Sequence, residues 1–76
     1  MKIQAVGDID SRDIELGVRQ CLHVAVKSAD GKLFVDARKW YKWENLPNFI
    51  PSRKGLQLSK DDWKLALPAI HALVDS

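Results

Sequence analysis

At 76 residues the chain has room for one domain, 1–76, and a domain this small buries only about 60% of its unfolded surface, so oligomerisation is the expected remedy. Hydrophobic residues make up 46%, which excludes a disordered chain. Twelve cations nearly balance ten anions for a net charge of +2, so total charge does not announce a nucleic-acid binder and the placement of the charges matters.

That placement is uneven. Acidic residues crowd "GDIDSRDIE", from Gly7 to Glu15. From Lys32 to Lys54, six Lys/Arg (Lys32, Arg38, Lys39, Lys42, Arg53, Lys54) stand against Asp36 and Glu44. Cys21 is the only cysteine, so no disulfide forms within the chain. A reducing, intracellular setting is expected: cytoplasm or nucleoid, or the nucleus in a eukaryote. No signal peptide and no apolar run long enough to span a bilayer is read, so no membrane partner is expected.

Residues 1–13 combine turn formers with charge and lack periodicity. They predict a short strand or frayed segment around Lys2–Val6, then a loop, and stand as a peripheral region. "IELGVRQCLHVAVKS" is the first strong strand signal, with β-formers Val18, Cys21, Val24 and Val26 and alternation through "HVAVK". Gly17 marks a bend or bulge within it. Cys21 is read as a half-buried strand residue rather than a nucleophile. Asp30-Gly31 predicts a tight two-residue hairpin turn. "KLFVDARKWY" is the returning strand, with Leu33, Val35 and Ala37 on one face and Phe34, Asp36, Arg38 and Trp40 on the other.

"KWENLPNFIPS" reads as a loop and "RKGLQL" as a short strand, with Leu56 and Leu58 on one face. Ser59 is a helix N-cap, and Asp61 and Asp62 suit the positive end of the helix dipole. Trp63, Ala66, Leu67, Ile70, Leu73 and Val74 then form one apolar helical stripe, with Trp63 assigned to the core. Pro68 interrupts the stripe and predicts a helix kinked or split there. The fold class is α+β: a curved antiparallel sheet followed by a C-terminal helix on one face, the other face left open.

An enzyme is not the expectation, and neither a metal nor another cofactor is. His23 and His71 have no obvious partner, the paired carboxylates Asp61 and Asp62 are explained by the helix dipole, and no zinc spacing or phosphate loop is present. A binding surface is better supported. Single-stranded nucleic acid is held by cations along its backbone and aromatics against its bases. "RKWYKW" supplies both within six residues: Arg38, Lys39 and Lys42 interleaved with Trp40, Tyr41 and Trp43. The alternative is a protein-interaction module, with the aromatics as anchors and the cations as rim.

Asp36-Ala37-Arg38, Trp40-Tyr41, Pro51, Arg53-Lys54-Gly55 and Trp63 fall in an order that resembles the positive cofactor four family of transcriptional coactivators, which bind single-stranded DNA. The resemblance covers roughly 17–70. It implies a four-stranded antiparallel sheet with a helix, and a homodimer whose sheets present the DNA-binding surface. The function expected on these residues is binding with little sequence preference, in transcription beside the transcription machinery or in DNA handling, with RNA as the other candidate ligand. By position the resemblance makes Lys32, Arg38, Tyr41 and Lys54 DNA contacts. The family's aromatic and lysine of the first hairpin are replaced here by Ala29 and Asp30, and Trp43 is placed to compensate. Lys27, Lys32, Arg38, Arg53 and Lys54 are the candidate phosphate contacts, and Gly55 lets the backbone come close or bend beside them.

Overall fold

The computed structural model describes residues 7–76. The strand or frayed segment expected at Lys2–Val6 lies outside those residues. Four strands, β1 (Asp10–Gly17), β2 (Gln20–Ala29), β3 (Lys32–Tyr41) and β4 (Ile50–Ser59), form one antiparallel sheet in the order β1-β2-β3-β4. A single helix, α1 (Lys60–Val74), follows.

The first hairpin differs from the expectation twice. The segment expected as a loop up to Asp13 is already strand from Asp10, because Asp10, Arg12 and Ile14 take up an edge position opposite Val26, Val24 and Leu22. An edge strand tolerates charge that a central strand does not. The long run from Ile14 to Ser28 is cut by a turn at Val18-Arg19. Neither residue is a usual turn former, and the register slips between Glu15 and Gly17 to make the reversal. Gly17 therefore sits beside the expected irregularity.

The second hairpin follows its sequence. Asp30 (φ 52°) and Gly31 (φ 77°) both take positive φ, the conformation of the two-residue turns whose twist matches that of the flanking strands. β2 and β3 then pair without a slip from Ala29–Lys32 to Gln20–Tyr41.

Alternation and register define two faces. Leu22, Val24 and Val26 share one face with Leu33, Val35, Ala37, Leu56 and Leu58. Cys21, His23, Ala25 and Lys27 share the other with Phe34, Asp36, Arg38 and Trp40. The deepest burial lies on this second, polar face: Cys21, His23, Ala25 and Asp36 are each at most 1% exposed. Cys21 is thus fully buried, not half-buried, and burial pushes its thiol pKa up, away from nucleophilic chemistry.

β4 begins at Ile50, so it takes in Pro51, which had been assigned to the loop. Pro51 has no N–H to donate, and an edge strand accommodates it. Its pairing with β3 is regular from Ser59 to Gly55, then jumps: Arg38 faces Gly55, while Trp40 faces Pro51. Lys39 alone spans the gap opposite Ser52, Arg53 and Lys54. β4 carries two extra residues there and bulges away from the ladder.

Helix α1 starts where Ser59 Oγ accepts the Asp62 N–H at 3.1 Å, and Asp61 and Asp62 occupy its first turn. It is one continuous element through Pro68 and is not split there. Trp63 Nε1 donates to the Val35 carbonyl at 2.9 Å and pins the first turn to β3. Trp63 is half-buried rather than core, and no residue of α1 is fully buried. Beyond Ala66 the stripe leaves the sheet, and Leu67, Ile70, Leu73 and Val74 are exposed. Among the described residues, no helix is long and apolar enough to cross a membrane.

Candidate nucleic-acid interface

The basic and aromatic residues singled out in the sequence fall into four places. Lys27, Lys32 and Arg38 lie on the polar face, since Lys27 pairs with Phe34 and Lys32 with Ala29 in one register. Arg53 and Lys54 lie on the β4 bulge, both exposed. Tyr41 pairs with Gln20 and points to the opposite face, half-buried. Trp43 stands in the β3–β4 connection and is 65% exposed. The run "RKWYKW" is therefore divided by strand alternation: Trp40 to the polar face, Tyr41 to the other, Trp43 into solvent.

The bulge has its own hydrogen bonds. Ser52 Oγ donates to the Lys54 carbonyl at 2.8 Å and accepts the Lys54 N–H at 3.2 Å. Arg38 Nη1 donates to the Ser52 carbonyl at 3.2 Å. The other two nitrogens of Arg38, Nε and Nη2, donate to the two oxygens of Asp36, each at 2.8 Å. All three nitrogens of the guanidinium thus have protein acceptors. Hydrogen bonding to Asp36 raises the Arg38 pKa further. Burial alone would raise the Asp36 pKa, but the bonds from Arg38 and Gln57 outweigh it and hold the carboxyl below its usual range.

Gly55 completes this arrangement. A Cβ on it would lie 2.6 Å from Nε and Nη2 of Arg38 and 2.7 Å from Cζ. The guanidinium lies against the bare backbone, and only glycine leaves that space. The close approach expected at Gly55 is thus made by a side chain of the same sheet.

A second polar cluster was missed. His23, given no partner from the sequence, sits between two carboxylates: Nε2 is 2.7 Å from Asp8 Oδ2 and Nδ1 is 2.5 Å from Asp13 Oδ1. Trp40 packs edge-on against the ring, with centroids 5.3 Å apart. Burial alone would lower the His23 pKa, but the two carboxylates outweigh it and the net shift is upward. Lys27 Nζ approaches Asp8 Oδ1 at 3.5 Å, so this candidate contact carries an internal ion pair. The signal was the acidic density of Gly7–Glu15 facing a lone histidine across a hairpin, legible only once β1 is recognised as a strand. His71 also has a partner, Asp75 at 3.2 Å one turn on, and is widely exposed. Among the described residues, no group of His, Cys, Asp and Glu is arranged to hold a metal ion.

The chain is an α+β protein with an open four-stranded antiparallel meander and one C-terminal helix, and solved structures share this architecture. They are two crystal forms of BPSL1147, a PC4 (positive cofactor 4) homologue from Burkholderia pseudomallei K96243. The tetragonal form matches with a TM-score of 0.74 at 15% identity, over 86% of this chain and 96% of that one. The orthorhombic form matches with a TM-score of 0.75 at 16% identity, over 96% of each chain. The fold is therefore that of a PC4 homologue. No protein-family model and no curated protein matches the sequence.

Proposed function

We propose that the protein binds single-stranded DNA with little sequence preference, as a coactivator-like, non-enzymatic homodimer acting in transcription. The observation that carries this reading is the β4 bulge, which holds Arg53 and Lys54 out of the sheet beside the polar face on which Lys27, Lys32 and Arg38 stand. A phosphate chain needs cations at intervals along a path, and a bulge re-aims side chains that a regular strand would bury or alternate. The fold shared with a PC4 homologue supports the same conclusion. Trp43 supplies an exposed ring for base stacking at one end of that path. Tyr41 is the further aromatic contact, reached where the strand passes around the end of β3.

Apolar surface supports the dimer in this reading. Leu65, Leu67, Ile70, Leu73 and Val74 on α1 and Leu33 and Leu56 on the sheet are all exposed in the single chain. A second copy covers such a surface symmetrically. The test is competition between a labelled single strand and a blunt duplex of equal length at two salt concentrations. Stronger competition by the single strand, weakening with salt, is expected. Equal or tighter binding of the duplex rejects the reading and favours a polypeptide ligand for the open sheet.

A further inference from the structure

Resting on that reading, we propose that Arg38 is a positioning residue, not a phosphate contact: held by Asp36 and seated on Gly55, it fixes the Ser52–Lys54 bulge in the shape that presents Arg53 and Lys54 to the phosphate chain.

Four observations converge. Asp36 is buried and takes both Nε and Nη2 of Arg38, so the guanidinium plane is set by two parallel bonds. The third nitrogen reaches the Ser52 carbonyl, the first residue of the bulge. Gly55, directly after the bulge, leaves the guanidinium room against its backbone. Arg38 thereby touches both ends of the three-residue excursion from within the sheet. Inside that excursion Ser52 Oγ closes on Lys54 N and O. The order imposed on Ser52 is passed on to Lys54, whose side chain points to solvent. Three of the five N–H donors of Arg38 are already engaged within the protein, and moving the guanidinium toward a phosphate would strain those bonds; the exposed Lys54 side chain has no such bonds to give up.

The motif thus contains two kinds of cation. Arg38 is charged and faces the binding surface, yet acts on the fold. Arg53 and Lys54 are charged, exposed, and act on the ligand. The distinction is measurable because Gly55→Ala moves the guanidinium while removing no charge.

Gly55→Ala and Arg38→Lys are prepared alone and combined with Lys54→Ala, and assayed against an unstructured single-stranded oligonucleotide across salt. Lys54→Ala should weaken binding about fivefold at ~0.1 M salt, which a slope of about 0.7 per phosphate on a single strand gives. Gly55→Ala should approach that loss and flatten the slope similarly, though it removes no charge. Lys54→Ala should then add little in either background. A ligand-free readout accompanies these. Exchange of the Lys54 amide, bonded to Ser52 Oγ, should accelerate in Gly55→Ala and in Arg38→Lys.

Wild-type affinity and slope in Gly55→Ala would overturn the proposal. So would a full fivefold effect of Lys54→Ala in the Arg38→Lys background, since independent contacts add. If the wild type binds no single strand, the function fails, and the amide exchange still decides the clamp: unchanged exchange in both variants rejects it. Arg38→Lys keeps a cation opposite Asp36, so it decides the matter if Gly55→Ala does not fold.

Discussion

His23 and Asp13 face each other as a register pair across β1 and β2, with Nδ1 and Oδ1 2.5 Å apart, and Asp8 closes on the other ring nitrogen. Such a ring is bonded on both sides only when it carries both protons. Glu15, Lys27, Lys32, Arg38 and Asp36 are the other charged groups on this face. The carboxylates raise the folded-state pKa of His23 against the effect of burial. Its contribution to stability is therefore complete below the ordinary histidine value of about 6.5 and is lost as pH rises through the elevated folded value. Asp36 acts in the opposite direction. Its folded pKa is depressed, so its contribution is present above the ordinary value of about 3.9 and is lost as pH falls through the folded one. Melting temperature should peak in mildly acidic solution and decline on both sides. His23→Gln should flatten the alkaline decline and leave the acid limb in place; an unchanged alkaline limb would remove His23 from the account.

Trp63 is the helix's main anchor, through its ring and through Nε1 on the Val35 carbonyl. Full burial of a tryptophan makes Trp→Ala cost about 3–5 kcal/mol, so this half-buried ring should cost about 2 kcal/mol. In a domain of this size that lowers the melting temperature by on the order of 10 °C. Trp63→Phe should recover much of the packing but not the hydrogen bond. A thermal melt followed by far-ultraviolet circular dichroism measures both.

Trp43 and Tyr41 separate stacking from stability. Trp43 is exposed in the connection, so Trp43→Ala should leave the melt unchanged and weaken oligonucleotide binding by about fivefold or more, the lower end of the roughly 1–3 kcal/mol that stacking contributes per base. Tyr41 lies on the face opposite Arg38, so Tyr41→Ala should have the smaller effect on affinity. The reverse order would place the bases against the other face of the sheet.

The apolar end of α1 predicts self-association. Leu65 and Leu73 are 79% and 76% exposed and touch little within the chain. Leu65→Glu combined with Leu73→Glu should convert a dimer at micromolar concentration into a monomer that keeps its circular dichroism. Sedimentation velocity separates the two species, and the wild-type melt should rise with concentration while the variant's does not. A wild type that sediments as a monomer at micromolar concentration would count against the dimer.

Local signals in the sequence were reliable where one residue type answers one geometric demand. Asp30-Gly31 meets the need for two positive φ angles, and Ser59 meets the need for an oxygen at a helix start. The two faces of β3 followed from alternation alone. What escaped depends on pairing between distant segments. The first half of β1, Asp10 to Asp13, looked like a loop because its charges are acceptable only at an edge, and the sequence does not say which strand is the edge. The reversal at Val18-Arg19 uses residues that ordinarily favour strands. The basic bulge was visible as composition, "SRKG", but its shape is a mismatch in register with β3. Arg38 was legible as a cation on the polar face, but Asp36, two residues away on the same face, gave no hint that Gly55 and Ser52 would complete its surroundings.

The interruption in β4 has a consequence beyond ligand contact. Among the described residues, β1 and β4 form the two borders of the sheet. Pro51 withholds an amide, and Ser52–Lys54 swing out of line, so only Gly55–Ser59 remains as a regular outer ladder. On the opposite border Asp10, Arg12, Asp13 and Glu15 set charge along β1. Neither border is a good template for another molecule's strand. A second copy meeting this chain would be steered to side chains of the faces and helix, which closes an assembly, and not to backbone addition, which would extend it into a fibril.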